Sequence, residues 1–362
     1  MKANKTTSLE IKKMNRSNIY RLLLKNHGLS RQYVLQTLGL SLPTVTQNIE
    51  ELQQEGLIQE VGERGNTGGR PAKTYAAVLD ARTAIGLDIT RNHITCVAVD
   101  LSGRVITLIR VREKFVQEEQ YFRKLGDLVQ NVIKKAGLIP EHILGVGIGV
   151  PGLVTADNNR VFYGEILHFT GATAVEFGQF IPFPVTLYND ANAAGFAEIW
   201  SQEDMKNVFY LMLSNNVGGS VLINDLVYSG DNLRSGEVGH LQLIPDGKLC
   251  YCGQHGCVDA YCAATVLSDY TDGNLQTFFQ LLEEDDEYLN HLAHTISNLN
   301  VLFDSSIILG GYVGAYIDPF LDDLKARVAK YHPFVHNAEY LLPCKYKKEA
   351  IAAGAALTYI DK

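Results

Sequence analysis

The chain has 362 residues, 46% hydrophobic and 20% charged, an ordinary globular composition with room for two or three domains. No apolar run is long enough to span a bilayer and the polar N-terminus lacks a signal-peptide core, so a cytoplasmic protein with no membrane partner is expected. The net charge of −8 is uneven: residues 1–75 hold 11 Lys and Arg against 6 Asp and Glu, leaving 21 against 34 for the remainder. A basic head on an acidic body suits a nucleic-acid module attached to a domain with other work.

Residues 15–25 carry Ile19, Leu22 and Leu23 at helical spacing, and a second short helix follows Ser30 with Val34, Leu35 and Leu38 apolar. Gly39-Leu40-Ser41 reads as a turn, with Ser41 capping a third helix over 42–55 and Pro43 in its first turn, where a missing N–H costs nothing. Val45, Ile49 and Leu52 form the buried stripe of that helix, which leaves Pro43, Thr44, Gln47 and Asn48 for the outer face. Gly56 ends it, and 57–61 reads as a wing strand. This order is a winged helix-turn-helix over 1–63, whose third helix enters the major groove, where Gln and Asn can pair with adenine and Thr can reach a base edge. Residues 64–82 read as a Gly/Arg/Pro linker. Its Gly69-Arg70-Pro71 core resembles an AT-hook, with Arg70 suited to a narrow minor groove and Arg64 and Lys73 to phosphates.

From Thr83 the chain alternates strands and helices. Strands are predicted over 84–89, 94–100 and 105–109, an amphipathic helix over 119–136, and an apolar strand over 143–150. A similar opening recurs at 208–213 and 220–223, with Asn224-Asp225 as the turn. Two β-rich openings, each leading into helices, predict two related lobes with a cleft between them.

Cys250, Cys252 and Cys257 lie within eight residues, with His240 upstream and His255 inside the loop. Three thiolates and one imidazole complete a tetrahedral structural zinc site, and Gly253 and Gly256 allow the tight backbone that it requires. Either histidine could be the fourth ligand. With half of the six cysteines in one metal-like cluster, a reducing compartment fits better than a disulfide framework.

Several ordered motifs carry a wider resemblance: the winged helix, Thr67-Gly68-Gly69-Arg70-Pro71-Ala72, Gly147-Ile148-Gly149-Val150-Pro151-Gly152, Asn189-Asp190-Ala191-Asn192-Ala193-Ala194, Gly236-Glu237-Val238-Gly239-His240 and the cysteine cluster. Together they resemble the ROK family (repressors, open reading frames and sugar kinases), in its DNA-binding branch of xylose-type and N-acetylglucosamine-type repressors. The resemblance implies an α/β fold, with the winged helix-turn-helix followed by a two-lobed actin-like, hexokinase-like domain. Lobe 1 would span 83–195 with a C-terminal helix at 349–362, and lobe 2 would span 196–348. It also implies zinc held by His240, Cys250, Cys252 and Cys257.

A sugar hydroxyl donates and accepts, so its pocket needs amides and carboxylates. By resemblance, Gly152 approaches the sugar through its backbone and Asn189 and Asp190 bind hydroxyls near C3 to C6. Glu237, His240 and Asp259 then reach those near C1 to C3. His240 would place one nitrogen on zinc and leave the other for the sugar. Asp259 departs from the family's usual Glu, which puts its contact in question. His168 and Phe169 fit either a wall of the sugar site or core filler, and Asn189-Asp190 also fits a helix N-cap.

Asp190 matches the catalytic base of family kinases, but the phosphate loops depart from their pattern. Where those kinases have Asp-x-Gly-Gly-Thr, this chain has Asp88-Ile89-Thr90-Arg91-Asn92; the second loop reads Ser214-Asn215-Asn216-Val217-Gly218-Gly219, and Tyr312 follows Gly310-Gly311. The expectation is a sugar-responsive repressor of carbohydrate-utilisation genes that binds operator DNA as a homodimer or tetramer, takes a sugar or sugar phosphate, and uses no ATP. The alternatives are an ATP-dependent sugar kinase carrying a DNA-binding domain and a module that docks a transport or signalling protein.

Overall fold

The computed structural model describes residues 8–64, 72–200, 205–268 and 286–360. The chain divides into two compact units, one formed by residues 1–83 with the short segments 100–104 and 140–143, the other by the rest.

In the first unit, α1 (Ser8–Lys25) precedes a two-residue strand β1 (Leu29–Ser30), α2 (Arg31–Leu38) and α3 (Leu42–Gln54). Ser30 Oγ accepts from the Tyr33 N–H and caps α2, Gly39 ends it in the left-handed region at φ 64°, and Ser41 Oγ accepts from the Thr44 N–H to start α3. Strands β2 (Ile58–Arg64) and β3 (Ala72–Ala77) form the wing, and the sheet order is β1-β3-β2, all antiparallel. The expected linker over 64–82 is thereby corrected: residues 72–77 are a sheet strand, with Tyr75 fully buried among Ile19, Leu23, Val34 and Ile49. Thr67 to Pro71, including Arg70, lies outside the described residues.

The second unit contains two five-stranded sheets. The first uses β4 (Thr83–Ile89), β5 (His93–Asp100), β6 (Val105–Arg112), β7 (Ile143–Val150) and, after the short pair β8 (Leu153–Val154) and β9 (Val161–Tyr163), β10 (Val185–Asn189). The second uses β11 (Asn207–Leu213), β12 (Val217–Ile223), β13 (Leu226–Val227), β14 (Ser306–Gly310) and β15 (Leu341–Pro343). Their orders are β10-β7-β4-β5-β6 and β15-β14-β11-β12-β13. Both therefore start with a three-strand meander at one side and add two later strands on the other, with β10 parallel to β7 and β15 parallel to β14. This shared topology is the internal duplication that the strand pattern predicts. Asn224 and Asp225, at φ 53° and 64°, make the tight turn between β12 and β13.

Helix α4 (Glu119–Ala136) lies along the first sheet and buries Phe122, Leu125, Val129 and Val132, with Gly137 in the left-handed region at its end. Two helices, α5 (Ala174–Gly178) and α6 (Asp190–Trp200), flank β10; later helices include α7 (Asp259–Cys262), α8 (Ala264–Ser268), α9 (Asp286–Phe303), α10 (Gly311–Gly314), α11 (Leu321–Tyr331) and α12 (Ala350–Ile360). One buried cluster joins Ala84 and Val97 of the first sheet, Tyr210 and Ile308 of the second, and α6 with α12. Glycine makes this packing possible: a Cβ at Gly86, Gly147 or Gly354 would lie 1.7–1.9 Å from a backbone oxygen of Ala352, Ala355 or Ala193. Glu198 of α6, fully buried, accepts from the Lys345 and Tyr346 N–H groups at 3.0 and 2.8 Å and ties α6 to the segment leading into α12.

Candidate sugar cavity, metal cluster and DNA-reading helix

A cavity of about 1200 Å³ opens in the second unit, walled by the β4–β5 turn, the start of α6, the segment after β11, the cysteine loop and Lys347-Lys348. Asp190 stands at the first position of α6 and lines it, with Oδ1 accepting from the Ala191 N–H at 2.8 Å. Burial, reinforced by the charges of Asp88 and Glu237, pushes the Asp190 carboxyl up to about 7, against the hydrogen bond from Ala191. Asn189 caps the same helix through Oδ1, which accepts from the Asn192 N–H at 2.9 Å, while Nδ2 donates to the Gly152 carbonyl at 3.1 Å. The side-chain oxygen keeps a second lone pair and the amide a second N–H, so capping and ligand binding are compatible there. Gly152 is required by its own neighbourhood, because a Cβ would lie 2.7 Å from the Tyr163 carbonyl oxygen.

The turn after β4 also lines the cavity. Asp88 is 5% exposed and its Oδ1 has no hydrogen-bond partner; burial pushes the carboxyl up to about 7, with Arg110 opposing. Thr90 closes the turn through its own side chain, Oγ1 donating to the His93 carbonyl at 3.1 Å and accepting the His93 N–H at 3.0 Å. The Arg91 guanidinium donates to the Ile166 carbonyl at 3.0 Å. His93 stands opposite Arg112 on the paired strand, and burial together with Arg110 and Arg112 lowers its pKa. Arg91, His93 and Arg110 all line the cavity. The sequence reading did not select them; their signal was three basic side chains, Arg91 in the turn, His93 at the start of β5 and Arg110 near the end of the paired strand β6.

Gly236 and Gly239 bring the Glu237–His240 turn against β12, since a Cβ at either would lie 2.2–2.3 Å from the Gly219 or Val217 carbonyl oxygen. Desolvation raises the Glu237 carboxyl pKa, with His240 opposing. Asp259 is 6% exposed and lines the cavity, but its Oδ1 is taken by the Val217 N–H at 2.6 Å. His168, at φ 55°, lines the cavity, whereas Phe169 is core, packed edge-on against Phe115 and Phe177.

The ligand atoms of His240, Cys250, Cys252 and Cys257 all lie within 4.8 Å of one another, a Cys₃His cluster able to hold a metal ion. Cys252 and Cys257 Sγ are 3.8 Å apart, and His240 Nδ1 is 3.9 Å from Cys250 Sγ. Tetrahedral zinc with bonds of about 2.3 Å requires sulfur separations of about 3.8 Å, so the donor set fits that ion. His255, the rival ligand, turns away, its Nδ1 meeting the Gly247 carbonyl at 2.8 Å. Burial pushes the Cys250 thiol up to about 12, and a cation among the sulfurs supplies the charge that favours thiolates. One expectation needs correcting: His240 Nε2 is not left open, because the Tyr251 hydroxyl lies 3.1 Å from it.

In the first unit, Pro43 and Gln47 are exposed on α3 and Thr44 is half-buried beside them. Asn48 is a correction: it is 2% exposed, its Nδ2 donating to the Thr44 carbonyl at 2.7 Å, so it belongs to the buried face. Lys73 is paired with Glu60 at 2.8 Å on the wing, and β2 ends at Arg64. Lys12 pairs with Glu51 at 2.9 Å and Arg16 with Glu55, so part of the basic surplus ties α1 to α3. Exposed pairs of this kind are worth little and can exchange partners.

Fold and site together define a two-lobed domain of the sugar-kinase type joined to a winged helix-turn-helix. The ROK family profile matches residues 84–362, and a winged helix-turn-helix DNA-binding profile matches 15–59; the chain belongs to the ROK family. The xylose repressor of Bacillus spizizenii is 26% identical over 378 aligned positions, covering 97% of this chain and 96% of that protein. A ROK family transcriptional regulator homologous to the Escherichia coli MLC protein has the same fold, with TM-score 0.77, 20% identity and 97% of each chain covered. The ROK hexokinase of Thermus thermophilus superposes with TM-score 0.63 at 25% identity, covering 76% of this chain and 97% of its own.

Proposed function

We propose that the protein is a sugar-responsive transcriptional regulator, a repressor of carbohydrate-utilisation genes. A single pairing carries this reading: a helix with exposed Gln47 and Pro43 in one unit, and in the other a sugar-kinase cavity whose phosphate turn is occupied by side chains. Thr90 and Arg91 fill and bond the turn in which family kinases keep two glycines, so the close backbone approach that ATP phosphates need is lost. Asp190 and Asn189, with Gly152, would bind one side of a sugar or sugar phosphate, and Glu237 and Asp259 the other, with both nitrogens of His240 engaged by the cluster and Tyr251. Zinc, when bound by His240, Cys250, Cys252 and Cys257, would supply a fixed cross-link that holds the His240 ring in place. Thr44, Gln47 and Pro43 would meet operator DNA in the major groove, and Arg64, Arg70 and Lys73 its backbone or minor groove. Repressors with such half-site readers act on palindromes as homo-oligomers, and the same is proposed here.

The second reading, a sugar kinase, has one observation in its favour: a carboxyl near 7 at Asp190 suits a general base. Two measurements separate the readings. A sugar and sugar-phosphate panel should contain a ligand that raises the melting temperature, because it binds only the folded chain. Incubation of that ligand with ATP and Mg²⁺ should give no turnover, and a rate abolished by Asp190→Ala would put the kinase first.

A further inference from the structure

Tyr251 sits between two cysteines of the metal cluster. Its ring stands edge-on to His240 with centroids 5.2 Å apart, and its hydroxyl is 3.1 Å from His240 Nε2. It is 52% exposed and lines the sugar cavity. Asp259 behaves in the opposite way. One methylene shorter than the glutamate of the family pattern, it is 6% exposed and spends Oδ1 on the backbone of β12. At this end of the cavity a phenol stands forward where a carboxylate has drawn back.

We propose that Tyr251 is a ligand-binding residue of this cavity, its hydroxyl held by His240 and donating its proton to an acceptor oxygen of the bound sugar. The inference rests on the reading of the cavity as a sugar site.

Three steps lead to it. His240 Nδ1 faces Cys250 Sγ, so a metal held there would leave the ring proton on Nε2, from which it would be donated to the Tyr251 oxygen. The phenol keeps its own proton, as an ordinary tyrosine does at neutral pH. That proton has no acceptor among the described residues, since the hydroxyl's sole hydrogen bond is to His240. A donor left over at a cavity wall is matched by an acceptor on the ligand. The consequence is chemical selectivity. A carboxylate only accepts and so reads a sugar hydroxyl by its proton, whereas this phenol reads an oxygen lone pair, as on a ring or glycosidic oxygen or an amide carbonyl.

The test is isothermal titration of the full-length, zinc-loaded chain with D-xylose, D-glucose and N-acetyl-D-glucosamine, each free and as its phosphate ester, comparing wild type with Tyr251→Phe. The variant keeps the ring on His240 and loses only the hydroxyl. The expected result is a roughly 3–10-fold loss of affinity for the best ligand, the size of one net hydrogen bond, with one zinc per chain and an unchanged ligand-free melting temperature. Undiminished affinity in Tyr251→Phe overturns the inference and leaves the sugar site standing. Loss of zinc or of ligand-free stability also overturns it, by showing that the hydroxyl serves the metal loop. If wild type binds none of the six probes, the sugar-site reading falls and this inference with it.

Discussion

The cysteine loop and the β4–β5 turn border the same cavity, and both reverse the chain sharply, but by different means. In the cysteine loop, Gly253 and Gly256 take φ of 87° and 81°, and a Cβ at Gly256 would lie 1.7 Å from the Ile244 carbonyl oxygen. The backbone itself makes the close approach, which leaves the cysteines on either side of the glycines, Cys250, Cys252 and Cys257, free to converge with His240 on one point. The β4–β5 turn has no glycine; Thr90 closes it with a hydroxyl, and Arg91 reaches across to Ile166. That solution preserves the path of the chain while committing the Thr90 and Arg91 side chains to backbone carbonyls.

Breaking the cysteine loop should have the largest effect. Cys257 is 2% exposed and belongs to a complete four-ligand set, so Cys257→Ser should remove the metal and lower stability by about 4 kcal/mol or more. Thermal unfolding with metal analysis checks this; a metal-free variant that melts like wild type would make the cluster incidental to the fold.

The β4–β5 side predicts a pH dependence. Asp88 has a folded-state pKa raised to about 7 by burial, so its contribution to stability is fully present below about 4 and is lost as pH rises through about 7. Asp88→Asn should remove that loss, gaining roughly 2–4 kcal/mol over wild type at pH 8 and little at pH 4. Melting curves at the two pH values decide it, and parallel curves for both proteins would show that Asp88 ionises freely.

The smallest effect sharpens the same contrast on α3, between a side chain that serves a site and one that serves the fold. Gln47→Ala should relax base choice at one operator position by about 1–2 kcal/mol without unfolding anything. Asn48→Ala should leave base preference unchanged and act on stability alone, because its amide is spent on the Thr44 carbonyl. Selection from a random DNA pool with each variant tests both, and a base preference altered by Asn48→Ala would return that residue to the interface.

Much of this was legible in the residues. The strand at Ile143–Val150 and the helix at Glu119–Ala136 have the bounds that periodicity predicts, and Ser41, Gly39 and Gly56 punctuate the helices as their chemistry requires. The cysteine loop was legible because its ligands are close in sequence. Asn48 was misread although the pattern contained the answer: 45, 48, 49 and 52 are the i, i+3, i+4, i+7 positions of one helix face, and the polarity of the amide outweighed its position. The rest depends on distant partners. Asp259 is turned by a backbone N–H 42 residues away, and Tyr75 becomes a core residue only once β3 has paired with β1 and β2. Composition and spacing carry no trace of such contacts.

The central claim is that sugar in the cavity and DNA on the winged helix bias one and the same protein. The direct measurement is DNA affinity, by fluorescence anisotropy on a pool-selected site, with and without saturating sugar, for wild type and Asp190→Asn. The account predicts weaker DNA binding of wild type in sugar, by roughly 5–150-fold, with Asp190→Asn matching wild type in the absence of sugar and showing no shift in its presence. DNA affinity indifferent to a sugar that demonstrably binds would contradict it.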